Sequence, residues 1–157
     1  MEFVLSKEAQ TFLKNNQGLR VVFTNGCFDI IHAGHVTYLE EARKLGDLLF
    51  LGLNSDASIK RLKGNSRPIV GEKDRKKVLE AIRFVDFVEI FEEDTPLELI
   101  KQVQPDVLVK GGDWDISKIV GASEVSSYGG VVKSISFVEG RSTTNIVDKI
   151  KNNAESK

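Results

Sequence analysis

The sequence has 157 residues, 41% hydrophobic and 29% charged, with 13 Gly and 3 Pro. A chain of this length suggests one domain that can bury roughly 70% of its unfolded surface; this composition excludes fibrous and low-complexity chains, and the longest apolar run, near Leu48–Leu53, falls far short of the roughly 20 residues of a bilayer-spanning helix. A single cysteine, Cys27, excludes an internal disulfide framework, and a net charge of −1 gives no ground for general affinity to nucleic acid or membrane surfaces.

Strand-like and helix-like runs alternate along the chain. Leu19–Thr24 is apolar and β-branched and predicts a buried strand. His35–Leu45 places Tyr38, Leu39, Ala42 and Leu45 on one helical face and stops at Gly46. A second strand is expected over Asp47–Asn54, a helix over Glu72–Arg83 and a third strand over Asp86–Phe91. Thr95-Pro96-Leu97-Glu98 has the order of an N-cap, a first-turn Pro and a capping-box Glu, opening a helix that runs to about Gln102, before Pro105. Val107–Lys110 is the fourth strand, Ser117–Tyr128 a helix ended by Gly129-Gly130, and Val131–Phe137 the fifth strand. Ser142–Asn152 closes the chain as a helix with Ile146, Val147 and Ile150 facing inward. No repeat or linker divides residues 1–157, and the order implies a Rossmann-like α/β fold: a five-stranded parallel sheet with helices on both faces. Ligands of such sheets lie beyond the carboxyl ends of the strands, so the loops after strands one, two, four and five are expected to carry the chemistry. The first residues, Met1–Lys7, have neither a basic nor a long apolar segment, so no secretory leader is expected and a cytoplasmic location is.

Those loops hold the unusual residues. Asn25–His35 contains both histidines, His32 and His35, flanking Ala33-Gly34 where a strand hands over to a helix. A helix N-terminus offers free N–H groups and partial positive charge, Gly34 lets a phosphate approach the backbone, and each imidazole can donate an N–H to it. A zinc site is the alternative; its further ligand would have to be Cys27, Asp29 or Asp113. Neither G-x-G-x-x-G nor G-x-x-x-x-G-K-[ST] occurs. Residues 55–77 carry eight Lys and Arg against three acids, either a solvated face or a surface for a small, highly anionic ligand. Asp56 caps the next helical turn or faces a ligand. Lys110-Gly111-Gly112-Asp113-Trp114 is either a plain tight turn or a place where the glycines admit a ligand that Asp113 or Trp114 contacts. Ser142 is an N-cap residue, and the same geometry binds terminal phosphates, with Thr143 and Thr144 donating hydroxyls.

Gly26-Cys27-Phe28-Asp29 followed by His32-Ala33-Gly34-His35 resembles the G-x-F-D…H-x-G-H signature of the nucleotidyltransferase superfamily that contains the cytidylyltransferases and pantetheine-phosphate adenylyltransferase. Arg141-Ser142-Thr143-Thr144, about 110 residues on, resembles its second hallmark. Within that superfamily the sequence is most similar, over roughly residues 18–152, to the adenylyltransferases that make ADP-heptose from D-glycero-β-D-manno-heptose 1-phosphate. The residues that carry this are Thr24–Asp29, Leu53-Asn54-Ser55-Asp56, Arg61-Leu62-Lys63-Gly64, Arg67-Pro68 and Lys110-Gly111-Gly112-Asp113. The resemblance implies transfer of AMP from ATP to a sugar 1-phosphate by a stand-alone form, with Mg²⁺ accompanying ATP, no metal held by the protein, and a homodimer. It implies His32 and His35 at the triphosphate, Lys63 at the α-phosphate, and Ser142, Thr143 and Thr144 at the β- and γ-phosphates. Gly26, Cys27, Phe28, Gly34, Asp56, Gly111 and Asp113 would line the nucleotide, and Arg67, Arg75 and Arg141 the substrate. Cys27 is read as a small residue beside the ligand, not a nucleophile. The glycerol-phosphate cytidylyltransferases carry an arginine where this chain has Phe137, which sets glycerol phosphate aside as the first expectation. A cytidylyltransferase acting on a small phosphorylated alcohol and a non-catalytic nucleotide-binding module are the alternatives.

Overall fold

The computed structural model describes residues 3–156; Met1 and Glu2, where the leader expectation begins, and Lys157 lie outside the described residues. The elements in chain order are α1 (Lys7–Asn15), β1 (Val21–Gly26), α2 (Ala33–Arg43), β2 (Leu48–Asn54), α3 (Asp56–Lys63), α4 (Glu72–Glu80), β3 (Phe87–Phe91), α5 (Leu97–Val103), β4 (Val107–Gly111), a 3₁₀ turn (Ile116–Lys118), α6 (Ala122–Ser127), β5 (Val131–Ile135) and α7 (Thr143–Glu155). All strand pairs are parallel, in the order β3-β2-β1-β4-β5. The five-strand, doubly covered sheet is the fold expected from the alternating pattern.

Side chains alternate between the two faces of each strand, and parallel strands bury both. Phe23, Phe50 and Leu108 pack on one face with Leu99, Ile100 and Val125 from α5 and α6. Val22, Leu49, Leu51 and Val109 pack on the other with Tyr38, Leu39 and Leu79 from α2 and α4. Each large apolar side chain so buried contributes about 1.5–3 kcal/mol. The chain steps outward from β1 through β2 to β3, then returns past β1 to β4. The crevice between β1 and β4 is therefore the switch point where ligands of such sheets bind.

Several expected elements are corrected. The sequence pattern missed α1, where Ser6 accepts from the Ala9 N–H at 3.1 Å, and α3, where Ser55 accepts from the Ser58 N–H at 3.1 Å. The helix expected over Ser117–Tyr128 is two pieces, because Gly121 sits between them at φ +87°. A Cβ there would meet Ile100 at 2.7 Å, so only glycine satisfies both backbone and packing. No capping box opens α5: it starts at Leu97 with Pro96 in the cap position, and Glu98 pairs with Lys101 at 2.7 Å instead. α7 buries no residue, and Ile150, expected to face inward, is 61% exposed. Among the described residues no helix is long and apolar enough to cross a membrane.

Candidate active site

The first loop leaves β1 and turns into α2 through a cap made of the two histidines. His32 is the N-cap, with extended backbone; its Nδ1 accepts from the Gly34 N–H at 3.1 Å, while its own N–H donates to His35 Nδ1 at 3.3 Å. A neutral imidazole that accepts at Nδ1 carries its proton on Nε2. The cap thus fixes both rings, 3.9 Å apart, as Nε2–H donors. Burial, then the positive charges of His32 and Lys63, push His35 down to about 4. Burial, with Arg141 nearby, also lowers His32. The rings are therefore neutral hydrogen-bond donors at pH 7, not bases in need of a proton.

The residues around them leave little slack. The Phe28 ring is buried 5.3 Å from His35, and Phe28 holds φ +46°, unusual for a bulky residue. A Cβ on Gly26 would lie 2.8 Å from that ring, and one on Gly34 would lie 2.8 Å from both the His32 ring and the Arg141 Cβ. Phe28 thus supports His35 from behind. Tyr38 and Thr24, both buried, share a 2.6 Å hydrogen bond that ties α2 to β1.

Two buried charges hold the neighbouring segments. Asp29 accepts from the Ile69 and Val70 N–H groups, both within 2.9 Å, and from Arg67 at 3.3 Å. Burial works to raise this carboxyl, but the two N–H groups and the Arg67 guanidinium outweigh it and hold it below the ordinary carboxylate value. Arg75 donates to the carbonyls of Cys27, Asn54 and Val70 and to Asp56, all at 2.7–2.9 Å, with 0% of its side chain exposed. The expectation that Arg75 contacts substrate is corrected: its donors are spent on the ends of β1 and β2 and on α3. Asp56, expected at the nucleotide, opens α3 and is held in that ion pair. Arg67 keeps part of its surface exposed beside Asp29.

The remaining expected residues gather on the α2 side of the sheet. Thr143 donates to the Ile30 carbonyl at 3.1 Å, which sets the start of α7 directly on the first loop. Ser142 caps α7 by accepting from the Asn145 N–H at 3.0 Å, Thr144 is exposed, and Arg141 lies against Gly34. Lys63, on the last turn of α3, bears electrostatically on His35. Two helix N-termini, two imidazoles and basic side chains therefore converge on one region. Gly111 is closed over by Phe137, whose ring would meet a Cβ there at 2.6 Å. Asp113 is exposed and accepts from Ser136 at 2.8 Å.

Beside this region, beyond the ends of β1, β2 and β4, lies a cavity of about 260 Å³ lined by Asn25, Cys27, Asn54, Asp94, Lys110 and Trp114 among others. The sequence expectations left out Lys110 as a functional residue. Its signal was available, since a lysine closing an otherwise apolar buried strand sits where such sheets bind ligands.

A family model described as cytidylyltransferase-like matches residues 23–149. The chain belongs to this cytidylyltransferase-like family. It is 60% identical over 134 residues to the bifunctional protein HldE of Geobacter sulfurreducens, covering 85% of this chain and 27% of that protein. It is 58% identical over 138 residues to the bifunctional protein HldE of Geotalea uraniireducens, covering 88% and 28%. The chain thus spans little more than a quarter of these relatives. A lipopolysaccharide core biosynthesis protein from Thermoplasma volcanium matches 79% of this chain and 100% of its own, with TM-score 0.63 and 31% identity. Pantothenate synthetase from Thermus thermophilus, at TM-score 0.59 and 14% identity over 88% of this chain and 62% of that one, shares the fold.

The α2–α7 region gathers helix N-termini, imidazole N–H donors and basic side chains, the kinds of group that set fixed positive charge around a polyanion. Among the described residues no three His, Cys, Asp or Glu side chains gather to hold a metal; Asp29 and Asp113, the carboxylates considered for a histidine-bound zinc, have the partners given above.

Proposed function

We propose that this domain is an adenylyltransferase that moves AMP from ATP to a sugar 1-phosphate, D-glycero-β-D-manno-heptose 1-phosphate, releasing pyrophosphate and ADP-heptose. The observation that carries it is the meeting of the α2 and α7 N-termini, through Thr143 on Ile30, beside a cavity at the switch point. In this reading Ser142, Thr143, Thr144 and the α7 N–H groups take the β- and γ-phosphates. His32 and His35 donate Nε2–H to the triphosphate and to charge building at the α-phosphorus, and Lys63 meets the α-phosphate. Gly111 and Asp113 border the nucleoside, with Cys27 beside it, and Arg67 and Arg141 extend the basic rim toward the phosphates.

The nucleophile is an oxygen of the acceptor phosphate, already largely dianionic at pH 7 because its second pKa is about 6. It attacks the α-phosphorus; the new P–O bond forms as the bond to pyrophosphate breaks, and the electron pair leaves with pyrophosphate. In-line displacement requires the acceptor to enter opposite the leaving group. In this reading the acceptor enters from the cavity that Asn25, Leu108 and Lys110 line. The work is positioning and neutralising two anions that repel each other. Mg²⁺ is proposed to travel with ATP, held by phosphate oxygens and water, where it supplies further positive charge to the departing pyrophosphate. The setting proposed is a cytoplasmic homodimer.

Pyrophosphate release with ATP and with CTP, across sugar 1-phosphates including heptose 1-phosphate and with glycerol 3-phosphate, tests this. Turnover with ATP and heptose 1-phosphate is expected. Turnover confined to CTP and glycerol 3-phosphate would show the cytidylyltransferase alternative, and nucleotide binding without pyrophosphate release the non-catalytic one.

A further inference from the structure

Lys110 is the residue before Gly111 on β4, and the two point to opposite faces of the sheet. Gly111 faces Tyr38 and Phe137, on the α2 and α7 side. Lys110 therefore looks toward the other face, with Leu108, into the cavity that Cys27, Asn25 and Trp114 also line. Its ammonium lies 5.6 Å from the centre of the Trp114 ring, and it forms no ion pair among the described residues. The carboxylate on the cavity wall, Asp94, is taken by Arg61 at 2.8 Å. Half-burial holds Lys110 below the ordinary lysine value, with the Cys27 sulfur working the other way. A half-buried cation without a counter-charge, at the open end of a cavity, is costly to keep unless an anion completes it.

We infer that Lys110 is the acceptor-side phosphate ligand: it binds the phosphate of the incoming sugar 1-phosphate from the face opposite His32 and His35, under the Trp114 indole. The inference rests on the adenylyltransferase reading and adds a residue to it. Lys63 and the histidines meet the donor nucleotide, and Lys110 meets the acceptor. The two phosphates are then drawn together from opposite faces by separate cations, and the acceptor keeps two oxygens free to attack. Trp114, 49% exposed, presents an apolar ring face of the kind that packs on the C–H groups of a sugar.

The test uses Lys110→Met, which keeps the length and removes the charge, and Lys110→Arg, which keeps the charge. For Lys110→Met, KM for the sugar 1-phosphate should rise roughly tenfold to hundredfold, the range of a charge-assisted hydrogen bond, while KM for ATP stays within about twofold. Lys110→Arg should recover most of the loss. Trp114 is the one tryptophan in the chain, so its emission reports on this cavity. Inorganic phosphate, without ATP, should change it saturably in the wild type and not in Lys110→Met. An unchanged acceptor KM, or an equal rise for both substrates, overturns the assignment. If the wild type releases no pyrophosphate with any sugar phosphate, the adenylyltransferase reading falls. The phosphate titration of Trp114 then still decides whether Lys110 holds an anion: the same response in wild type and Lys110→Met overturns it.

Discussion

Replacing Arg75 by methionine should destabilise the protein far more than it weakens substrate binding. The guanidinium is fully buried and bonds three backbone carbonyls, those of Cys27, Asn54 and Val70, together with the Asp56 carboxylate. Methionine fills much of the volume but donates nothing. Each carbonyl left unsatisfied costs about 1–3 kcal/mol, unless water reaches it, and breaking a buried ion pair by removing one partner costs about 3–5 kcal/mol. These losses overlap, since one side chain makes them all, and Asp56 is a third exposed and can rehydrate. The net expectation is about 3–5 kcal/mol, a large part of the roughly 5–15 kcal/mol that holds a typical domain together. Urea unfolding followed by circular dichroism measures it, with Arg75→Lys as a partial rescue that restores charge but not the fork of donors. In the folded fraction, KM for the sugar phosphate should stay near the wild-type value. If Arg75→Met unfolds within about 1 kcal/mol of the wild type while that KM rises tenfold or more, Arg75 is a ligand contact after all and the pinning account is wrong.

His35→Ala should lower turnover about a hundredfold to a thousandfold, the usual cost of removing one donor aimed at transition-state charge. It also removes one half of the α2 cap, worth about 1 kcal/mol, so circular dichroism should show a folded protein; unchanged pyrophosphate release would refute the role. Stability should fall with acidity between pH 6.5, the ordinary histidine value, and about 4, the folded value for His35. In that window the unfolded chain binds the proton that the buried ring resists, so unfolding becomes easier as pH drops. Urea midpoints across the window measure the slope, and it should flatten in His35→Ala; an identical slope in the variant would assign it to another group.

How far the site was legible in the sequence depends on what kind of interaction makes each part. Buried strands were legible because apolar, β-branched runs between turn residues have few alternatives, and their order alone implied a parallel sheet. The clustering of His32, His35 and Ser142–Thr144 was legible because strand–helix junctions in such a sheet all point to one end. Two helices were not: α1 and α3 span only 9 and 8 residues and depend on the Ser6 and Ser55 caps and on packing, so that even the helical spacing of Ala9, Phe12 and Leu13 in α1 was too brief to stand out. Gly121 likewise gave no local sign that it would split a helix; the need arises from the Ile100 side chain, on a different helix. The arginines show the deeper limit. Arg67, Arg75 and Arg141 look alike as basic residues near a basic stretch, yet the fold buries one as a pin between strands, half-buries another on Asp29 and leaves the third against Gly34. Charge along a sequence says only that cations are near; which of them remain free for a ligand depends on where the carbonyls at the strand ends fall. Arg75 is spent on two of those carbonyls, Cys27 and Asn54, and on a third, Val70, between α3 and α4, whereas Lys110, on the strand across the switch point, is spent on none. That difference is invisible to composition or motif, and it is why the basic residues read from the sequence include one whose donors are spent inside the fold.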